Sequence, residues 1–392
     1  MNTIELLEII SGGESSKVQF KEIVSKKNDD DIVTEMVAYA NSEGGLLIIG
    51  VKDKTGEITG LTFTEIEEIN NLLFNLATNN VKPAIIMQTE TIDVSGKKVI
   101  VANISKGFNK PYYDNKMVPW IKIGSNKRRM TPEEIERFLQ EANKIYAEKK
   151  VIDDSSIDDL NKEMFYDFYK KKFKTEVDVS TNELLRLTEN LRLSKNGKIT
   201  IAGVLLFGMN TEILLPEFRI NAIWFWGNEF ITNDYRSSEN IYGNLKNQYD
   251  RALSFVMGAL KKVQKDKSFN SLGEPEIPVD AIIELLMNAL IHRNYLIPDS
   301  IKLYIFENRI EIKSPGKLPN SLTVDDIKKG IQRRDRNIII SSYATDILPY
   351  RGTGSGILKA IQLYPKIEFE NNIEAEYFKV TIFRETELKN KI

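Results

Sequence analysis

The tightest constraint on this chain is the pairing of an apolar helix that carries two polar residues with a glycine-rich turn that opens onto a second helix. In Glu284-Leu-Leu-Met-Asn-Ala-Leu-Ile-His-Arg-Asn-Tyr295 and the residues before it, Ile282, Leu285, Leu286, Ala289 and Leu290 recur at three- and four-residue steps, with Pro278 just ahead as a start signal. Glu284 and Asn288 stand four apart, so a helix puts them on one face. A carboxylate there can activate water, and a neutral amide oxygen suits a magnesium shell that keeps several waters and phosphate oxygens. A solvated polar stripe on an amphipathic helix would carry the same pair. Further on, Gly352, Gly354 and Gly356 alternate in Arg351-Gly-Thr-Gly-Ser-Gly356, directly before the apolar-periodic Ile357-Leu-Lys-Ala-Ile361. Exposed backbone N–H groups and the positive end of a helix dipole make such a turn a phosphate cradle. A dinucleotide fingerprint would need a strand just before the glycines, where Pro349 breaks the run, and no Gly-x-x-x-x-Gly-Lys-Ser/Thr sequence occurs. The pattern predicts a nucleotide site of another kind.

Glu284 with Asn288, the central Pro315-Gly-Lys-Leu-Pro319 and Gly352-Thr-Gly-Ser-Gly356 together resemble the boxes of the GHKL (Bergerat-type) ATPases, in the divergent form of the Schlafen/AlbA-like regulators. The resemblance implies ATP and Mg2+ as ligands, Glu284 as general base, Asn288 as metal ligand, and Gly352, Thr353, Gly354, Ser355 and Gly356 around the phosphates. Ser314 stands ahead of Gly316 where these ATPases carry the Asp of Asp-x-Gly-x-Gly that reads the adenine amino group. A neutral hydroxyl accepts a weaker hydrogen bond than a carboxylate. Arg351, beside Gly352, is a candidate phosphate contact, and Arg333-Arg-Asp-Arg336-Asn337 a candidate mobile lid. His292, the sole histidine, is expected either to pack behind the Asn288 turn or to reach phosphate.

With 392 residues the chain has room for two or three domains with real cores. Hydrophobic content of 42% and charged content of 28% are those of a soluble globular protein. The absence of cysteine excludes disulfides and thiolate zinc sites. No apolar run reaches bilayer length and no signal-peptide pattern opens the chain, so a cytoplasmic protein without membrane association is expected. Net charge is −2, so any nucleic-acid surface must be a local patch. No internal repeat and no clear terminal helix-turn-helix is seen.

Near the start, residues 3 to 10 read as a helix closed by Gly12 and Gly13. In Glu14-Ser-Ser-Lys-Val-Gln-Phe-Lys-Glu22, Val18 and Phe20 alternate with Lys17, Gln19 and Lys21, as in a half-buried strand. A helix over 29 to 41 follows, with Asp29, Asp30 and Asp31 in its first turn, and then an apolar strand from Leu46 to Val51. These residues resemble the Schlafen/AlbA-like domain, over about residues 10 to 140, which implies binding of nucleic acid, DNA in the first place. Nuclease members of that family use two Glu five apart and an Asp after the Gly-Val strand. Glu14 and Asp53 match, but Gln19 replaces the second Glu and supplies no charge to offset a divalent ion. Binding without cleavage is expected, with a metal-dependent nuclease on Glu14 and Asp53 as the alternative. Lys127, Arg128 and Arg129 follow Gly124-Ser-Asn, near the aromatic loop Lys106 to Tyr113 and the strand Trp120 to Ile123. With Lys17 and Lys21 they form the predicted nucleic-acid face, offering charge for phosphates and rings for unpaired bases. Thr131 with Glu134 has capping-box spacing.

The expected architecture is α+β: an N-terminal Schlafen/AlbA-like α/β module over 1–140, a charged helical connector over 141–195, and a C-terminal Bergerat (GHKL)-like α/β sandwich over 196–392. Ile199 to Phe207 reads as a buried strand or a buried helix, and a long helix is expected from about Leu245 to Lys265. Strands at Ile301–Phe306, Ile310–Ser314, Ile367–Glu370 and Phe378–Phe383 would back the Glu284 helix. Because GHKL relatives often dimerise with nucleotide bound, the expected function is a homodimer whose grip on DNA responds to Mg-ATP, in regulation or defence. A nucleotide-gated protein-interaction module is a further alternative.

Overall fold

The computed structural model describes residues 1–53, 55–142, 144–176, 181–230, 234–263, 273–319, 322–331, 335–350, 352 and 354–384. The chain divides into two units, Met1–Ile145 and Tyr146–Ile392.

The first unit runs α1 (Thr3–Ser11), β1 (Val18–Lys21), α2 (Asp29–Asn41), β2 (Gly45–Ile49), α3 (Phe63–Asn75), β3 (Met87–Val94), β4 (Lys97–Ile104), β5 (Trp120–Ile123), β6 (Asn126–Arg129) and α4 (Pro132–Glu141). Four strands form one sheet in the order β1-β2-β4-β3. β1 and β2 are parallel, and α2 is the crossover such a pair requires; the other pairings are antiparallel. Side chains alternate across the sheet. Leu47, Ile49, Ile100 and Ala102 join the core under α2 and α3, while Ile48, Val99 and Val101 join Leu6 and Ile10 of α1 on the other face. A strand enclosed on both faces reads as one apolar run, as Leu46 to Ile49 does. Thr131 accepts from the Glu134 N–H and Glu134 from the Thr131 N–H, closing the expected capping box.

The second unit continues with α5 (Lys162–Phe173), α6 (Thr181–Asn190), β7 (Ser194–Lys195), β8 (Lys198–Ile199), α7 (Ile201–Phe207), α8 (Thr211–Leu214), β9 (Ile220–Phe225), β10 (Tyr235–Ile241) and α9 (Leu245–Ala259). It ends with β11 (Lys262–Val263), β12 (Glu274–Pro275), α10 (Val279–His292), β13 (Ile301–Ile305), β14 (Arg309–Pro315), α11 (Val324–Lys328), α12 (Ile338–Ile347), α13 (Gly356–Leu363), β15 (Ile367–Asn372) and β16 (Tyr377–Phe383). The main sheet has the order β10-β9-β13-β14-β16-β15, parallel only between β9 and β13. Helices α9 and α10 pack on it, and Ile310, Ile312, Val380 and Ile382 point into that layer. Of residues 141–195, set apart on sequence as a connector, Ala147, Ile157, Phe165, Leu184 and Leu193 contribute to this same core.

The run Ile199 to Phe207 is helical from Ile201 onward, capped by Thr200 and buried at every position, so no polar face betrays its period. The helix expected to reach Lys265 stops at Ala259, and Lys265 itself lies outside the described residues. Its end is taken over by side chains from elsewhere: Arg384 Nη2 donates to the Ala259 carbonyl at 2.9 Å, and Glu276 Oε1 accepts from the Lys261 N–H at 2.9 Å. Lys262 and Val263 then pair with Pro275 and Glu274. Among the described residues no helix is long and apolar enough to cross a membrane.

Candidate functional site

Helix α10 buries Ile282, Leu285, Leu286 and Leu290 in the core, which leaves Glu284 and Asn288 facing α13. Gly356 measures how close that approach is. A Cβ on it would lie 2.5 Å from Glu284 Oε2 and 3.2 Å from Asn288 Nδ2, so only glycine leaves the carboxylate in place. Asn288 Nδ2 donates to the Glu284 carbonyl at 2.6 Å, which turns Oδ1 into the atom open to a ligand. Lys359 reaches back from the first turn of α13, its Nζ 3.3 Å from Glu284 Oε1. Gly352 and Gly354 take left-handed φ of 65° and 68°, conformations glycine adopts without strain.

A cavity of about 390 Å³, within the range of small-molecule sites, opens between α10, β14, β16 and α13. Leu285, Ala289, Ile312, Ile357, Phe378 and Val380 give it an apolar wall, and Asn288, His292, Ser314, Lys317, Asp335 and Arg336 a polar one. Asn288, Ser314, Gly316, Gly352 and Gly354, all picked out on sequence, meet here. Glu284 and Gly356 lie at the adjoining α10–α13 contact, and the Ser355 carbonyl accepts the Lys359 N–H at 2.9 Å. Arg351 and Thr353 fall outside the described residues, as do Arg333 and Arg334.

The strand period places Ser314 on the face of Ile310 and Ile312, beneath α10, where its hydroxyl donates to the Ala289 carbonyl at 3.2 Å. Its lone pairs remain for the cavity. Gly316 follows at a φ of 101°, with Asn294 Cβ 2.5 Å from where its own Cβ would be. His292 stands in the cavity wall, Nε2 3.3 Å from the Tyr350 hydroxyl and Nδ1 3.7 Å from Asp335 Oδ1. Burial lowers the imidazole below its usual value, Asp335 opposes that shift and Arg336 adds to it, which favours the neutral ring. Burial, with Asp335 and Glu284 adding, pushes the Tyr350 hydroxyl up to about 12.

Arg336 is no part of a mobile lid. Its guanidinium donates to the Lys317 carbonyl at 2.8 Å and the His292 carbonyl at 3.3 Å, and the residue is buried. Asn337 likewise donates to the carbonyls of Ile291 and Arg293, so both side chains serve the open carbonyl end of α10. Lys359 and Tyr350 were not singled out on sequence, and Asp335 only as part of the segment from Arg333 to Asn337. The signal for Lys359 is its place three residues after Gly356, on the same helix face; Asp335 and Tyr350 come from loops and carry none.

In the first unit the predicted basic face is largely neutralised from within. Lys127 Nζ lies 2.6 Å from Asp31 Oδ1 and 2.8 Å from Glu35 Oε2. Arg128 makes a two-pronged contact with Glu134 at 2.8 and 2.7 Å. Lys21 sits between Asp31 at 3.1 Å and Asp53 at 3.3 Å; burial pulls it down, but the two acids outweigh that and hold it above the usual lysine value. Lys17 and Arg129 stay exposed, Arg129 over the Trp120 ring at 5.6 Å, and Phe108 on the aromatic loop is 95% exposed. Glu14 accepts from Gln19 Nε2 and from the Phe20 N–H, and Gln19 Oε1 takes the buried Lys122 ammonium at 3.2 Å. Lys122 also pairs with the buried Glu35 at 2.5 Å. Glu14, Gln19 and Asp53 thus belong to one network threaded by lysines, and among the described residues no cluster of three or more His, Asp or Glu could hold a metal ion.

The architecture is therefore a charged four-stranded domain followed by a helix-backed sheet with a polar-rimmed cavity. Residues 14–131 match the Schlafen AlbA_2 family, and residues 299–382 match the family described as "Putative ATP-dependent DNA helicase recG C-terminal". The chain is thus similar to a Schlafen AlbA_2 domain over its first unit and to the ATPase-like domain of that second family over part of its second. The second match begins after α10, so Glu284 and Asn288 stand on the geometry alone. The uncharacterized ATP-binding protein UU034 of Ureaplasma parvum serovar 3 is 30% identical over 99 residues, 23% of this chain and 28% of that protein. The crystal structure of the DIP2311 protein from Corynebacterium diphtheriae is 18% identical, with 97% of this chain and 80% of that one covered at a TM-score of 0.47. The solution structure of the N-terminal domain of a RecG-related protein from Nitrosomonas europaea is 20% identical, covering 33% of this chain and 94% of that one at a TM-score of 0.26.

Proposed function

We propose that this protein binds ATP in the C-terminal cavity and nucleic acid, DNA in the first place, on its N-terminal unit, and that Mg-ATP alters its assembly as a dimer or its grip on DNA. The observation that carries the nucleotide part is the approach of Gly356 to Glu284 and Asn288 beside a cavity bordered by left-handed glycines. The apolar wall suits a base, the glycine turn suits phosphates, and the ATP-binding relative supports the same reading. Magnesium fits the donor set: Asn288 Oδ1 offers one neutral oxygen, as a cation that keeps its waters and phosphate oxygens requires, and the ion would neutralise phosphate charge there. In this reading Glu284, on the same helix face as Asn288, is the residue that would take a proton from water. Nucleic-acid binding is supported by the AlbA_2 match and by the exposed Lys17, Arg129 and Phe108. The nuclease alternative has less support, because Glu14 and Asp53 are engaged by Gln19, Phe20 and Lys21.

The test is calorimetry of Mg-ATP binding to the wild type and Asn288→Ala, repeated with a short DNA duplex present. Wild-type binding, its loss in Asn288→Ala and a shift with DNA are expected, since coupling between two ligands is reciprocal. A wild type that binds no nucleotide overturns the nucleotide reading; an ATP affinity indifferent to DNA overturns the coupling.

A further inference from the structure

We propose that Lys359 is a terminal-phosphate residue: Glu284 holds its ammonium in the nucleotide-free protein, and it turns to the last phosphate of a bound nucleoside triphosphate. The inference rests on the nucleotide reading above and adds to it the means by which the site tells a triphosphate from a diphosphate.

In the nucleotide-free protein Glu284 supplies the anion that lets Lys359 stand near the start of α13, and an arriving phosphate offers it a second one. A cation in the first turn of a helix opposes the helix dipole, which favours negative charge at that end. Lys359 nevertheless sits there, one turn past Gly356, and its ammonium is directed at Glu284. The two partners differ in freedom. The Glu284 side chain is 17% exposed and wedged against Gly356, while that of Lys359 is 43% exposed and reaches in from solvent. The lysine is the partner that can swing away.

Lys359 borders the cavity from the α10–α13 contact, and the cations that line the cavity itself are placed differently: Arg336 is directed at two carbonyls, His292 is favoured in its neutral form, and Lys317 comes from the segment after β14 and not from the helix that follows the glycine turn. A partly exposed lysine–glutamate pair contributes little in water, whereas a terminal phosphate offers more negative charge and more acceptor oxygens to a point-charge donor such as lysine. The exchange therefore runs toward the phosphate when it is present. It also frees the Glu284 carboxylate from its counter-charge. A diphosphate, lacking the terminal group, leaves the pair as it is.

The experiment compares Mg-ATP and Mg-ADP binding by calorimetry on the full chain as wild type, Lys359→Met and Lys359→Arg, with thermal melts of each. The wild type is expected to prefer ATP. Lys359→Met should lose roughly tenfold to a hundredfold in ATP affinity, the loss of one charged hydrogen bond, with ADP affinity unchanged. Lys359→Arg should retain the preference, and the melts should coincide. Lys359→Met that keeps the wild-type ATP-to-ADP ratio, or weakens both nucleotides equally, would overturn the assignment and leave the nucleotide site standing. A wild type that binds neither nucleotide would overturn the site itself. Should Lys359→Met melt early, Lys359→Gln gives the same comparison with a polar side chain.

Discussion

Replacing Gly356 by alanine separates fold from function in the ATPase-like domain. Gly356 does not have a left-handed backbone, so alanine is conformationally tolerated, and as a helix former it is favoured over glycine by about 0.5–1 kcal/mol. Against this, the new methyl would stand 2.5 Å from Glu284 Oε2, well inside the 3.4 Å at which ordinary contact begins. The clashing atom is a side-chain oxygen and not backbone, so the carboxylate is displaced and gives up Lys359, at a cost of about 0.2–1 kcal/mol for a partly exposed pair. The terms nearly cancel. Stability should move by no more than about 1 kcal/mol, and the melting temperature by no more than about 4 °C. Function should not survive so well. Asn288 Nδ2 lies 3.2 Å from the same methyl, and a displacement of about 1 Å at a reacting group can cost about a hundredfold. Paired thermal melts and Mg-ATP calorimetry on Gly356→Ala should therefore show a folded protein with at least a tenfold weaker nucleotide affinity. A melting temperature lowered by much more than that would mean that α10 and α13 meet through rigid packing. An unchanged affinity would refute the claim that these two side chains face the nucleotide.

Other consequences follow from the charges. Lys122→Met leaves the buried Glu35 with Lys127 as its one ion-pair partner among the described residues and should destabilise the first unit by about 3 kcal/mol in denaturant melts; adding Glu35→Leu should recover most of that, and a single variant as stable as wild type would refute the pairing. If DNA is held by the exposed cations, Arg129→Ala should lower the salt dependence of DNA binding by about one ion without a change in melting, and an unaltered slope would remove Arg129 from the interface. Glu148 is fully buried and accepts from the N–H groups of Ile339 and Ile340 at 2.9 and 2.8 Å. Burial raises its carboxyl above the usual 4.5, with those N–H groups opposing. The folded state therefore binds its proton more tightly than the unfolded chain, so this group's contribution is present below pH 4.5 and is lost as pH rises through the raised value. Wild type minus Glu148→Gln stability should fall across that window, and a flat difference would contradict it.

What could be read from sequence was local. The α10 stripe, the Glu284–Asn288 spacing, the glycines before α13 and the Thr131 capping box each lie within a few turns of chain, and the structure keeps all of these elements where their spacing puts them. The misreadings concern partners far apart in sequence. Lys127 looks like a free cation until α2 delivers Asp31 and Glu35 to it, and Arg336 looks like a lid residue until the carbonyl end of α10 meets it. Enclosure hides periodicity in α7, and the opposite condition hides β3, an edge strand whose exposed polar residues mask its alternation. Ser314 was legible as a position but not as a contact, because the Ala289 carbonyl that takes its hydrogen comes from a different element.

The same long-range contacts suggest how the cavity can act on the rest of the second unit. Asp335 lines the cavity, and the residues that follow are held at every step: Arg336 and Asn337 by the end of α10, Ile339 and Ile340 by Glu148. Glu148 lies three residues beyond Ile145, where the two units divide. A buried cap on a helix start is either made or broken, because a carboxylate drawn away from those N–H groups leaves polar atoms unsatisfied in the interior. A ligand that displaces Asp335 acts on the segment that leads into α12, whose start Glu148 holds. Coupling of the kind proposed here needs an all-or-none element, and the Glu148 cap is the candidate for it within the second unit.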